Sequence, residues 1–195
     1  AGWRWFHQRG RLREGRAILA GLLAMPWSGD PRIRIAGLTA EGGLAYWMND
    51  VVGSRAAYEE RMALAEQTGD PKLVADAEYD LGFLFVVAGE PASVVTHEQR
   101  ALDLFTSIGD EDGMRRARQA LVLAVFLVGD YPRALELEAE NFAGFERVGA
   151  AYQIADSQTL QAAIAIRLGQ ADRAWQLMQR GLDFWASNDN ASGLA

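Results

Sequence analysis

The chain contains no cysteine, and Lys72 is the single lysine among its 19 basic residues. Without cysteine there is no disulfide framework and no thiolate metal site, which fits a cytoplasmic location. The two histidines, His7 and His97, are far apart, and Arg100 and Ala101 stand where helical spacing would put a second ligand to His97. Long apolar runs are missing too. The richest, Ala17–Met25, has nine residues between Arg16 and Pro26, too few to span a bilayer. It also lies behind five arginines, unlike a signal peptide, so no membrane association is expected. The net charge of −7 argues against direct nucleic-acid binding by this segment, since phosphates need a basic surface.

Catalytic signatures are equally sparse. There is no GxxxxGK phosphate loop, no Gly-x-Ser-x-Gly elbow and no thiol nucleophile. The closely spaced carboxylates Glu136, Glu138 and Glu140 are expected on a solvated helix face. Neither an enzyme nor a bound cofactor or metal is expected.

What is present is a repeat. Gly29-Asp30-Pro31, Gly69-Asp70-Pro71, Gly109-Asp110-Glu111 and Gly149-Ala150-Ala151 recur every 40 residues. Asn49-Asp50, Gly89-Glu90, Gly129-Asp130 and Gly169-Gln170 fall midway between them. Glycine, and less readily asparagine, accepts the left-handed conformation that ends a helix. The following aspartate can cap the next helix, where a proline in the first turn forfeits no bond. Between these stops the apolar spacing is helical. Val74, Ala77, Leu81, Leu84, Phe85 and Ala88 form one stripe, and Met114, Ala117, Leu121, Val125 and Val128 repeat it. Ala101, Leu102 and Phe105, then Ala134, Leu135 and Leu137, then Ala174, Leu177, Met178 and Leu182 serve the second helices. The spacing therefore predicts an all-α chain of antiparallel helix pairs, each helix about 17 residues and roughly 25 Å long. Pairs of this kind bury their faces by stacking. The frame gives one helical-repeat domain over 1–195: a partial unit at 1–28, full units at 29–68, 69–108, 109–148 and 149–188, and the start of another at 189–195. Both ends look like cuts through a longer array.

The pattern resembles the tetratricopeptide repeat (TPR) in a long-helix form. Leu81-Gly82 precedes Gly89 at that family's distance, Gly129-Asp130-Tyr131-Pro132-Arg133-Ala134 matches its turn, and Gly169-Gln170-Ala171-Asp172-Arg173-Ala174 follows it more loosely. Ala101-Leu102 matches a later Ala-Leu pair, which becomes Gly181-Leu182 in the last unit. The chain departs from the family in its period, 40 rather than 34, and in placing Leu38, Glu78, Arg118 and Gln158 where the family has tryptophan. The resemblance implies a TPR-like α-solenoid, a right-handed superhelix. The long period, the Gly-Asp punctuation and the opening Trp3-Arg4-Trp5-Phe6 with Arg9-Gly10-Arg11-Leu12-Arg13-Glu14-Gly15-Arg16 are similar to repeat arrays of large bacterial LuxR/STAND-type regulators and adenylate-cyclase-like ATPases. The excess of arginine over lysine agrees with a bacterial, GC-rich source.

In TPR arrays the first helices line a concave face, and carrying that over by register gives four rungs. Ala36, Asp76, Arg116 and Asp156 form one; Thr39, Tyr79, Gln119 and Thr159 form the next, polar in every unit. Gly43, Phe83, Leu123 and Ala163, then Tyr46, Val86, Phe126 and Ile166, make the floor apolar. The candidate binding face is thus Thr39, Tyr46, Asp76, Tyr79, Phe83, Arg116, Gln119, Phe126, Asp156 and Thr159. A surface of this composition suits a protein or peptide partner, or a small effector. Asp76, Arg116 and Asp156 also suggest a charge ladder between units. Arg9, Arg11, Arg13 and Arg16 read as a solvated basic helix face. Trp3, Trp5, Phe6 and Trp27 near one end, with Trp175 and Trp185 near the other, suggest self-association through exposed repeat ends. The expected function is interaction and effector sensing within a bacterial signal-transduction or transcriptional regulator. The alternative is a receptor holding a small molecule or peptide pheromone in the groove.

Overall fold

The computed structural model describes residues 2–26 and 29–187. Trp27, the side chains of Trp3 and Trp185, and the further unit expected from residue 189 lie outside the described residues.

Ten α-helices and no strand occur among the described residues: α1 (Gly2–Gln8), α2 (Leu12–Leu23), α3 (Pro31–Trp47), α4 (Val51–Thr68), α5 (Pro71–Ala88), α6 (Pro91–Ile108), α7 (Glu111–Leu127), α8 (Tyr131–Val148), α9 (Ala151–Arg167) and α10 (Ala171–Ser187). The punctuation acts as its chemistry dictates. Gly69, Gly89, Gly109, Gly129, Gly149 and Gly169 all take positive φ, and Asn49 does so at 59°. Side chains of Asp30, Asp50, Asp70, Asp110 and Asp130 accept backbone N–H bonds at 2.9–3.2 Å from the first turn of the following helix, each cap contributing about 1 kcal/mol. Pro31, Pro71 and Pro91 open their helices. Glu90 and Ala150, where the sequence departs from the aspartate pattern, make no side-chain cap. Connections of two or three residues then force neighbouring helices to run antiparallel.

The chain divides into two compact units, Ala1–Met114 and Arg115–Ala195, the boundary falling inside α7. In the first, α3 packs on α4 and α5 on α6, α4 joins the two pairs, and α2 packs on α3. In the second, α9 packs on both α8 and α10. The apolar stripes supply the buried surface: Ala77, Leu81, Leu84 and Phe85 in α5, Ala101 and Phe105 in α6, and Ala117, Leu121 and Val125 in α7. Val128 is exposed, because it lies in the turn past the end of α7, and Met178 and Leu182 on α10 are also exposed.

Close approach within a pair depends on small residues. A Cβ on Gly42 would run into the ring of Tyr58, and one on Gly82 would lie 2.6 Å from the Glu98 carboxylate. Tyr58 and Glu98 occupy equivalent places one period apart, and each is buried against the glycine of its own pair.

Two of the positions at which TPRs carry tryptophan hold charged residues bound to the second helix of the pair, whereas Leu38 at the equivalent place is buried in the core. Glu78 reaches Arg100 at 3.0 Å and His97 at 2.6 Å. One period later Arg118 reaches Glu140 at 3.1 Å, the same pair of positions with the signs exchanged. Glu138 corrects the solvated-face expectation: it is 2% exposed, while Glu136 and Glu140 stand in solvent. At 3.6 residues per turn, a residue two along is rotated by about 200°, so the middle glutamate faces the pair interior.

Candidate functional site

Three of the expected face residues come together in the first unit. Tyr46, near the end of α3, lies 5.5 Å ring to ring from Phe83 on α5, and Phe83 stacks at 6.2 Å on Tyr79, one turn earlier. They border a cavity of about 220 Å³ completed by Gly43, Trp47, Tyr58 and Asp80. The elements explain the placement. Four residues separate Tyr79 from Phe83, which puts both rings on one stripe of α5, and Gly43 lets the cavity reach the α3 backbone. Phe83 is 38% exposed and Trp47 beside it 48%, so two large rings at the cavity reach solvent.

Behind the rings lies a buried charge pair. Arg61 on α4 is 4% exposed and bonds the Asp80 carboxylate, and its Nη1 also donates to the Asp76 carbonyl at 2.9 Å. Burial pushes the Tyr46 hydroxyl up from its ordinary value, and the Tyr58 hydroxyl much further, with the Asp80 charge adding to it. Both phenols therefore stay protonated and neutral. Register could not single out Tyr58 or Arg61, because the face was read from first helices alone, and it passed over Trp47 and Asp80, which each follow a rung position by one residue. One signal was available: a charged Arg61 interrupting the apolar stripe of α4 between Tyr58 and Ala65.

The other expected residues have different surroundings. Thr39 donates its hydroxyl to the Ile35 carbonyl at 2.8 Å, one turn back in its own helix. Asp76 receives both oxygens' worth of contact from Lys72 at 2.8 Å, and Lys72 also meets Asp110 at 3.0 Å and lies 4.9 Å over the Phe105 ring. In the first unit, then, the acidic member of the expected ladder is engaged by the lysine of its own helix. Three of the four arginines of the run are engaged: Arg9 lies 5.1 Å over the Trp5 ring, Arg11 pairs with Glu14, and Arg16 joins Glu41 and Asp50, both at 2.6 Å.

In the second unit, Phe126 packs edge-on to Tyr131 at 5.5 Å, with the Arg167 guanidinium 5.9 Å from its ring. Thr159 donates to the Ala155 carbonyl at 3.0 Å on the side facing Gly181 of α10. Gln119 is exposed and Arg116 half-buried. Burial raises the Asp156 carboxyl above its ordinary value. Next to it, Glu138 is raised to about 7 by burial, assisted by the Asp156 charge and opposed by the Ser157 hydroxyl that donates to it and by Asn141. No group of three His, Cys, Asp or Glu side chains is arranged for a metal among the described residues. No helix there is long and apolar enough to cross a membrane.

No family model matches the chain, and no curated protein does. Solved structures do. A putative kinesin light chain from Podosopora anserina with nearly identical TPR-like repeats superposes with a TM-score of 0.80 at 16% identity, over 97% of this chain and 93% of that one. BtubC (BKLC) from P. vanneervenii gives 0.84 at 14% identity, over 96% and 78%. The Rap conjugation gene regulator of plasmid pLS20, solved with the Phr* peptide, gives 0.74 at 11% identity, over 96% of this chain and 52% of that one. At these identities the likeness concerns the backbone, and it settles the fold: the chain is built as a TPR-like α-solenoid of helix pairs.

Proposed function

We propose that this chain is the interaction and effector-sensing repeat domain of a bacterial signal-transduction or transcriptional regulator of the LuxR/STAND kind, binding a protein or peptide on the face of its first helices. The observation that carries the reading is the aromatic cavity of α3 and α5. Helix pairs alone need no such feature, and an exposed phenylalanine beside two half-buried tyrosines is a binding surface by composition. The peptide seated in the Rap regulator, a protein of like fold, supports the polypeptide reading. In the second unit Arg116, Gln119, Phe126, Asp156 and Thr159 are proposed as that unit's own contribution. The role is binding rather than catalysis: Asp80, the carboxylate that borders the cavity, is engaged by Arg61.

A thermal-shift screen with short peptides, sugars and nucleotides tests the proposal, since a specific ligand raises the midpoint by mass action. Peptides should raise it, and Tyr79→Ala should abolish the shift. If Tyr79→Ala and Gln119→Ala leave the affinity for every peptide found unchanged, the face is assigned wrongly; turnover of any substrate would overturn the non-catalytic role. The small-effector reading draws on a second, apolar cavity of about 310 Å³ between α2 and α3, bordered by Leu19, Leu22, Ile33 and Gly37. That volume reaches the lower edge of the ~300–1,000 Å³ usual for small ligands, and a midpoint raised by an apolar small molecule would favour it. Trp5 and Trp175 are exposed, and we propose that they support self-association; a concentration-independent monomer by light scattering would refute this.

A further inference from the structure

We infer that the α3–α5 cavity is an anchor pocket for one aromatic side chain of a bound polypeptide. The inference rests on the polypeptide-binding reading above and names the group that is recognised. Size comes first. At about 220 Å³ the cavity is smaller than the ~300–1,000 Å³ of sites that enclose a whole small ligand. It has room for one large side chain, with the rest of the partner outside.

Charge narrows the choice. Asp80 is the one charged residue among those bordering the cavity, and its carboxylate is bonded to Arg61. An incoming ammonium or guanidinium would stand beside the Arg61 guanidinium, which is held in place by the Asp76 carbonyl. An incoming carboxylate would face Asp80. The Tyr46 and Tyr58 phenols remain neutral and supply no compensating charge. An incoming anion would gain no counter-charge, and an incoming cation only a share in the Asp80 carboxylate that Arg61 already holds.

Ring geometry decides between the uncharged classes. Tyr79 and Phe83 lie within 26° of parallel, and Tyr46 is tilted 39° to Phe83. The wall therefore offers both ring faces and ring edges. Aromatic pairs prefer offset-stacked and edge-to-face contacts, which stabilise beyond the area buried. An aliphatic side chain would fill the space but use only the area. Phe83 stays 38% exposed without a partner, and an inserted ring would cover it. Aromatic anchors in pockets of this kind dominate binding energy at interfaces.

The test uses the full chain and two probe sets. One is a short Ala/Gln host peptide with a single central guest, Phe, Leu, Lys or Glu, titrated by fluorescence anisotropy. The other is N-acetyl-phenylalaninamide against N-acetyl-lysinamide, followed by ligand-observed NMR. The Phe guest should bind at least about tenfold more tightly than Lys or Glu and more tightly than Leu. Phe83→Ala should erase that preference while circular dichroism shows the helix content retained at the assay temperature; Phe83→Leu should retain part of it. A Lys guest binding as well as Phe, or a Phe preference that survives both Phe83→Ala and Tyr46→Ala, would overturn the inference. Guest-independent peptide binding would overturn it as well while leaving the polypeptide reading intact. Binding of the Phe amide, lost in Phe83→Ala, with no peptide bound at all would support an aromatic pocket and sink the polypeptide reading.

Discussion

In the unit ending at Met114, two buried charges meet charges of opposite sign, Arg61 with Asp80 and Glu78 with Arg100, and Glu78 also bonds the His97 ring. In the unit beginning at Arg115 the most deeply buried carboxylate, Glu138, meets a hydroxyl and an amide, with Asp156 adding like charge. The helix-pair scaffold is common to both, so the contrast separates what the scaffold requires from what each unit adds. It requires an occupant of the interior positions that can be satisfied there. At one such position Leu38 is apolar, and at the next two Glu78–Arg100 is exchanged for Arg118–Glu140, so each charged occupant has a partner of opposite sign. What each unit adds is different: neutral aromatic walls in the first, a carboxyl poised near neutrality in the second.

The largest expected effect tests the second half of that contrast. Glu138 titrates at about 7 in the folded chain, above the ordinary value of 4.5. The folded state thus holds a proton that the unfolded chain releases. This contribution is fully present below the ordinary value and disappears as pH rises through about 7. Between pH 5 and pH 8 the second unit should lose up to about 3 kcal/mol. Urea denaturation at both pH values should show the loss in the wild type and not in Glu138→Gln; a wild type more stable at pH 8 would contradict the assignment.

Next come the glycines. Gly42→Ala drives a Cβ into the buried Tyr58 ring and should destabilise the first unit by about 2–3 kcal/mol. Gly144→Ala in α8 meets side-chain atoms at no less than 3.8 Å, so it should be neutral or stabilise by up to about 1 kcal/mol through helix propensity. Equal effects on the denaturation midpoint would mean that the close approach in the first unit is not specific.

The sign exchange can be tested by reproducing it. Glu78→Ala should cost about 2 kcal/mol, because it removes charge-assisted bonds from a buried position. The double variant Glu78→Arg with Arg100→Glu copies the arrangement at Arg118 and Glu140 and should recover more than half of that loss in chemical denaturation. No recovery would show that the second unit's arrangement depends on its own surroundings. The smallest effect belongs to Lys72→Ala. Its pairs with Asp76 and Asp110 are half-exposed, so the cost should be within about 1 kcal/mol and should shrink as salt is raised.

Much of the architecture was legible because it is written in local chemistry. The Gly-Asp stops mark left-handed C-termini and capped N-termini, and helices of 17 or 18 residues in the full units follow from their spacing. For the proposed face, what was legible is which residues share a register. Register picked out Tyr46, Tyr79 and Phe83, which do adjoin one cavity. It could not show that the hydroxyls of Thr39 and Thr159 bond their own helices, since a threonine reads alike in either state. Glu138 was misread because acidic composition suggested solvent, although its rotation from Glu136 pointed inward.

By itself, then, the sequence determined the all-α class, the 40-residue frame and the helix limits, since these depend on periodicity and on the conformational limits of individual residues. Tertiary structure decided which polar residues are buried and with whom: Arg61 with Asp80, Glu78 with His97, Glu138 with Ser157. It also decided that aromatic rings on α3 and α5 meet around a neutral cavity. The three pairs each join consecutive helices at a separation of 19 residues, so the frame sets where they meet but not how deeply each is buried; the cavity depends on α3 and α5, which are joined only through α4.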